Sequence, residues 1–110
     1  MKLPQAANVH IPERKLTGYL LSEKHAIGRT KAHLFKQFGY SAKGWTVLAE
    51  ALKAIALERE VTRVEETRFG IRYVIDGVLK TPVGRELPLR TVWFIDNDEQ
   101  IPHFVTAYPR

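Results

Sequence analysis

The fold turns on one stretch, Trp45 to Glu66: W-T-V-L-A-E-A-L-K-A-I-A-L-E-R-E-V-T-R-V-E-E. As far as Arg59 its apolar residues recur at helical spacing. Trp45, Leu48, Leu52, Ile55 and Ala56 fall on one stripe, with Glu50, Lys53 and Arg59 on the wet side. After Glu60 the period changes to two, and Val61–Glu66 reads as a weakly patterned strand. A helical half therefore ends here and a strand half begins.

Toward the C-terminus the period of two persists. Strands are expected over Gly70–Leu79, Leu87–Asp96 and Pro102–Tyr108, separated by the turn segments K-T-P-V-G-R and D-N-D-E-Q. Connections this short allow hairpins but no parallel crossover. Toward the N-terminus, Thr30–Phe38 places Leu34, Phe35 and Phe38 on one side, and Gly39 is a natural stop. A shorter helix is expected from Pro12 to Leu21, with Leu16, Tyr19 and Leu20 at helical spacing and Gly18 weakening it by about 1 kcal/mol. Residues 1–11 lack periodicity and read as an extended lead-in. The expectation is one α+β domain over 12–110, with three helices on one face of a four-stranded antiparallel meander.

Totals narrow the function. The chain has 110 residues, 17 Lys and Arg against 12 Asp and Glu, and no cysteine, which excludes disulfides, thiolate metal sites and thiol catalysis. No run approaches the ~18 apolar residues of a membrane span, and M-K-L-P-Q-A-A-N-V-H lacks a signal-peptide core. A cytoplasmic protein that needs no membrane is expected. The net charge of +5 favours a polyanionic partner. Between Ser22 and Gly44 the basic residues Lys24, Arg29, Lys31, Lys36 and Lys43 face one acid, Glu23, so most of the excess sits in about a fifth of the chain. Such a run is either a solvated basic face or a place where an anion is held.

A second pattern lies on the strands. Thr91, Trp93 and Ile95 share one side of the third, and Phe104, Thr106 and Tyr108 one side of the fourth. The repeat T-V-W, T-A-Y is explained either by β-propensity and cross-strand packing, or by an open shelf of hydroxyls and flat rings suited to a phosphate and a base. No His/Asp/Glu spacing of the H-E-x-x-H kind occurs, Ser22 and Ser41 lack the glycines of a nucleophile elbow, and phosphate-binding glycine loops are absent; no metal or cofactor is expected.

K-L-T-G-Y-L-L-S-E-K-H-A-I-G-R-T-K-A-H-L-F-K-Q-F-G-Y, F-G-I-R-Y-V-I-D-G-V-L-K-T-P-V-G-R, T-V-W and the closing F-V-T-A-Y-P resemble a family of small bacterial domains. These occur alone and at the C-terminal tips of filamentous-haemagglutinin-like and other polymorphic toxins. The helices-then-meander layout is similar to the barnase–EndoU–colicin–RelE group of metal-independent ribonucleases. The resemblance implies that His25, Gly28, Arg29 and Lys31 form a histidine–glycine–basic signature, with Ala26 where the family usually has proline. It also matches Thr91 and Trp93 to the T-V-W strand, and Thr106 and Tyr108 to the closing T-A-Y.

On that basis His25 is the expected general acid/base, because imidazole titrates near neutrality. Lys31 and Arg29 are the expected phosphate clamps, Thr91 and Thr106 the orienting donors, Lys24 a further RNA contact, and Trp93 or Tyr108 the stacking platform. The resemblance thus implies an endoribonuclease toxin with RNA as substrate and an acidic antitoxin or immunity protein as partner. A non-catalytic nucleic-acid-binding module and a toxin-neutralising interaction protein stay open beside it.

Overall fold

The computed structural model of the protein describes residues 1–26 and 29–110, so Gly28 of the signature lies outside the described residues. The strand half forms where the period of two demands it. β1 (Val61–Glu66), β2 (Gly70–Lys80), β3 (Glu86–Asp96) and β4 (His103–Pro109) pair antiparallel in sequence order. They follow a first helical segment, α2 (Arg29–Gln37) and α3 (Trp45–Glu58). The protein is an α+β domain, three helices preceding a four-stranded antiparallel meander.

The α3 stripe is buried as its spacing requires: Leu48, Leu52 and Ala56 are fully enclosed and Ile55 nearly so, while Trp45 sits at the margin of the core. Across from it, Tyr73, Ile75, Leu79, Leu89, Trp93, Phe104 and Ala107 form the inner face of the sheet. Contact between the layers is close at Gly77, where an added Cβ would lie 2.8 Å from Ile55 Cγ2. α2 ends where the sequence predicted, with Gly39 at φ 93° and the Tyr40 N–H donating to the Phe35 carbonyl at 3.1 Å.

Two N-terminal expectations change. The first helix, α1, is an α-helical turn over Glu13–Lys15 that widens at once into a π-helical turn over Leu16–Leu20, closed by Leu21 N–H donating to Leu16 C=O at 2.7 Å. Gly18 lies in the widened turn, which keeps Leu16 and Leu20 fully buried and brings Tyr19 to the border of the core. The first eleven residues, expected as an extended lead-in, pack onto the domain. They bury Leu3, Val9 and Ile11, include a 3₁₀ turn over Ala6–Asn8, and His10 pairs with the edge of β4 through bonds to Pro102 and Phe104.

The decisive local feature is a bulge. Val92 faces Thr106, but the next residue, Trp93, faces Phe104, so Val105 is extra on β4. That insertion keeps Phe104 and Ala107 both on the inner face and turns Thr106 and Tyr108 to the opposite one, opposite Val92 and Arg90. The shared shelf of T-V-W and T-A-Y therefore does not exist: Thr91 and Trp93 point into the core.

Candidate active site on the β4 edge

β4 is an outer strand, and its second half is flanked by α1 and α2. There the Lys31 ammonium donates to Tyr19 Oη at 2.9 Å and to Thr106 Oγ1 at 3.1 Å, and those two oxygens lie 3.2 Å apart. The same ammonium stands 5.2 Å from the Tyr19 ring centre and 5.7 Å from that of Tyr108. The His25 ring meets the Tyr19 ring edge-on, centres 5.1 Å apart. All five side chains are half-buried.

Each element contributes by its local geometry. The π turn aims Tyr19 outward, α2 projects Lys31 from its first turn, and the bulge sets Thr106 beneath them. His25 is held from the loop by its carbonyl, which accepts the N–H of Arg29, the first residue of α2, at 2.9 Å. Among the described residues no carboxylate pairs with Lys31, so a partly desolvated cation faces hydroxyls and rings alone. Such a group favours an anion. Its effect is visible on Tyr19. Burial, the largest single influence, opposes ionisation, but the bonds from Lys31 and Thr106 and the charges of Lys31 and Lys15 outweigh it, holding the phenol below its ordinary 10.0.

The structure thus brings together His25, Lys31, Thr106 and Tyr108 from the sequence reading. Arg29 and Lys24 lie exposed beside them. It does not bring Thr91 or Trp93. Both are fully buried: Thr91 Oγ1 donates to the Ile75 carbonyl at 2.8 Å and accepts from Trp93 Nε1 at 2.9 Å. They satisfy one another in the core, so Trp93 offers no stacking face and Thr91 no free donor. Tyr19 was missed. Its signal was a hydroxyl-bearing ring between Leu16 and Leu20 on the apolar side of α1.

Next to Tyr108, Arg90 forms a two-pronged ion pair with Asp76, at 2.8 and 3.0 Å, and Arg110 reaches the same carboxylate at 3.5 Å. The Arg90 bond, with the charges of Arg90 and Arg110, holds Asp76 below the usual carboxylate range in spite of its burial. A wider cleft of about 700 Å³ lies between α1 and the β3–β4 turn. In it Arg14 and Lys15 face Asp96 and Glu99, and His103 is paired with Asp96 at 3.2 Å. Its charges balance, so it lacks the bias toward anions that Lys31 has. Among the described residues no group of three His, Asp or Glu is placed to hold a metal, and no helix is long and apolar enough to cross a membrane.

The fold and site define a small α+β domain with a cationic, hydroxyl-lined edge. The chain belongs to the family described as "Domain of unknown function (DUF6883)", whose model matches residues 2–110. Its fold is similar to that of a chain in a "Contact-dependent growth inhibition toxin - immunity protein complex from Klebsiella pneumoniae 342". The TM-score is 0.72 at 18% identity, over 96% of this chain and 97% of that one. At that identity the likeness shows a shared fold. Comparison with curated proteins gave no match.

Proposed function

We propose that the protein is a toxin-type endoribonuclease working at the β4-edge site. The observation that carries this reading is the Lys31 ammonium, which has no carboxylate partner among the described residues and is held against Thr106 and Tyr19 beside His25. A scissile phosphate seated there would take hydrogen bonds from Lys31 and Thr106, with Tyr108 available as a platform for a base. His25 removes the proton of the ribose 2′-hydroxyl, whose oxygen bonds to phosphorus as the bond to the 5′-oxygen breaks. The leaving oxygen takes a proton from Tyr19, whose hydroxyl Lys31 makes more acidic. The products are a 2′,3′-cyclic phosphate and a 5′-hydroxyl, with no redox change.

The toxin part of the reading draws on the fold shared with a chain of a toxin–immunity complex, and on the net charge of +5. It implies an acidic neutralising protein that covers the same edge. Purified protein is incubated with total RNA in the presence of a chelator and the new ends are mapped. Cleavage that falls at least 100-fold in His25→Ala, the usual range for a lost general acid or base, is the expected result. Equal cleavage by both proteins removes His25 from the mechanism, and intact RNA in every case ends the ribonuclease reading.

A further inference from the structure

The outer face of the sheet carries a second feature, of which the proposed chemistry uses only Tyr108. A groove of about 230 Å³ opens there, lined by Thr62, Arg63, Glu65, Arg72, Arg90 and Tyr108 among others. Most of its charges are committed. Glu65 stands opposite Arg72 in the β1–β2 register, yet gives its carboxylate to Arg63 at 2.9 Å. Asp76 serves both Arg90 and Arg110. Thr62 Oγ1 donates to the Val74 carbonyl at 3.1 Å. Arg72 Nε is left over: it is buried and, among the described residues, has no hydrogen-bond partner.

A buried guanidinium nitrogen without an acceptor costs stability unless something supplies one. Around the groove four guanidinium groups (Arg63, Arg72, Arg90, Arg110) meet two carboxylates (Glu65, Asp76), a local balance of +2. An anion would supply that acceptor and offset the local charge. Its fork geometry suits a phosphate, which takes two parallel N–H donors from one arginine. Position argues for what kind of phosphate. Tyr108 lines this groove and also stands over Lys31, so its ring is the wall between the two sites.

We infer that Arg72 binds a second phosphodiester of the same single-stranded RNA, on the far side of Tyr108 from the scissile phosphate. The inference rests on the ribonuclease reading for the identity of the strand, but the groove and its orphaned nitrogen stand independently of it. One strand would run from Lys31 across Tyr108 to Arg72, with a base laid on the tyrosine ring. The site then prefers substrates longer than a dinucleotide.

The test uses fluorescent, non-cleavable 2′-O-methyl oligoribonucleotides, a dinucleotide and a hexanucleotide, with binding followed by anisotropy over a salt series. In Arg72→Gln the hexanucleotide should bind about tenfold more weakly. Its slope of log affinity against log salt should fall by about 0.7, the loss of one phosphate contact on a single strand. The dinucleotide should be unaffected. Arg72→Lys should keep the slope while losing part of the affinity, because charge remains and the fork does not. Equal weakening of both lengths, or of neither, overturns the inference. So does an acidic polypeptide whose binding needs Arg72 when that of the hexanucleotide does not. Cleavage by the wild-type protein is scored separately. Arg72-dependent binding without cleavage ends the nuclease reading and leaves this one standing, and cleavage without a length-dependent Arg72 effect does the reverse.

Discussion

Replacing Lys31 by methionine separates the function of the β4 edge from its stability. The ammonium makes two hydrogen bonds, at 2.9 and 3.1 Å, and stands over two rings. Each charge-assisted bond is worth about 1.5–3 kcal/mol in isolation from other changes. Three effects reduce the loss on folding. Methionine keeps the apolar stem, no buried carboxylate is stranded, and Tyr19 and Thr106 stay within 3.2 Å and satisfy one another. The net destabilisation should be about 1–2 kcal/mol. A domain with the usual stability of about 5–15 kcal/mol then stays almost wholly folded. A cation that stabilises developing phosphoryl charge contributes about 100–1,000-fold in rate, or roughly 3–4 kcal/mol. Urea unfolding and cleavage of a quenched oligoribonucleotide, measured on one preparation, should show a small shift and a large loss. Full activity in a folded Lys31→Met protein would refute the argument from the uncompensated cation.

The same variant should raise the Tyr19 pKa, since burial would remain while the bond and charge from Lys31 would be gone. Alkaline titration of tyrosinate absorbance, with Tyr19→Phe to assign the signal, measures this. In the wild type the folded phenol releases its proton first, so its contribution to stability is complete above the ordinary 10.0 and is lost as pH falls through the folded value. Asp76→Asn should cost about 1–3 kcal/mol, read from the melting temperature, because the Asp76 side chain is only 12% exposed and two guanidinium groups lose their shared carboxylate. Asp76 has a depressed pKa, so the stability it supplies is present above its ordinary 3.8 and is lost as pH falls through the folded value. Below about pH 4 the wild-type melting temperature should therefore drop more steeply than that of the asparagine variant. Gly77→Ala should destabilise by about 1–3 kcal/mol, because its Cβ would fall within 3.1 Å of three atoms of the stiff, β-branched Ile55 side chain; an unchanged urea midpoint would show that α3 moves away freely.

Much of the fold was legible because it rests on period. The α3 stripe and the switch after Glu60 involve many residues that agree, and the strands follow within a residue or two. The site was only half legible, for a specific reason. Side-chain direction on a strand follows from counting by two, and a single inserted residue reverses the count. Val105 is that insertion. Nothing in F-V-T-A-Y marks it, since Phe, Val, Thr and Tyr all suit a strand. Counting by two put Phe104, Thr106 and Tyr108 on one side, and the bulge divides Phe104 from the other two. Thr91 and Trp93 failed for a different reason: a hydroxyl and an indole can satisfy each other in a core, and their spacing of two on one strand allows that as readily as it allows a binding shelf. Tyr19 was hidden by a change of helix type, which no pattern of period 3.6 announces.

The bulge also explains why the site lies at an edge and not on the open sheet. Thr106 could not join the buried Thr91–Trp93 pair without bringing its hydroxyl to an apolar layer already satisfied by that pair. Turned outward on the last strand, it meets α1 and α2 where no further strand competes for the space. An outer strand normally invites pairing with another chain. Here the first half of β4 is covered by His10, and the second half is guarded by the Lys31 charge and the rings of Tyr19 and Tyr108. The residues that protect this edge from another strand are the same ones that, under the proposed function, would receive a phosphate. A half-buried lysine with no carboxylate partner among the described residues is costly for an element that only has to block aggregation, since an exposed lysine would serve. The extra cost is accounted for if the cation has to be partly dehydrated to act on an anion.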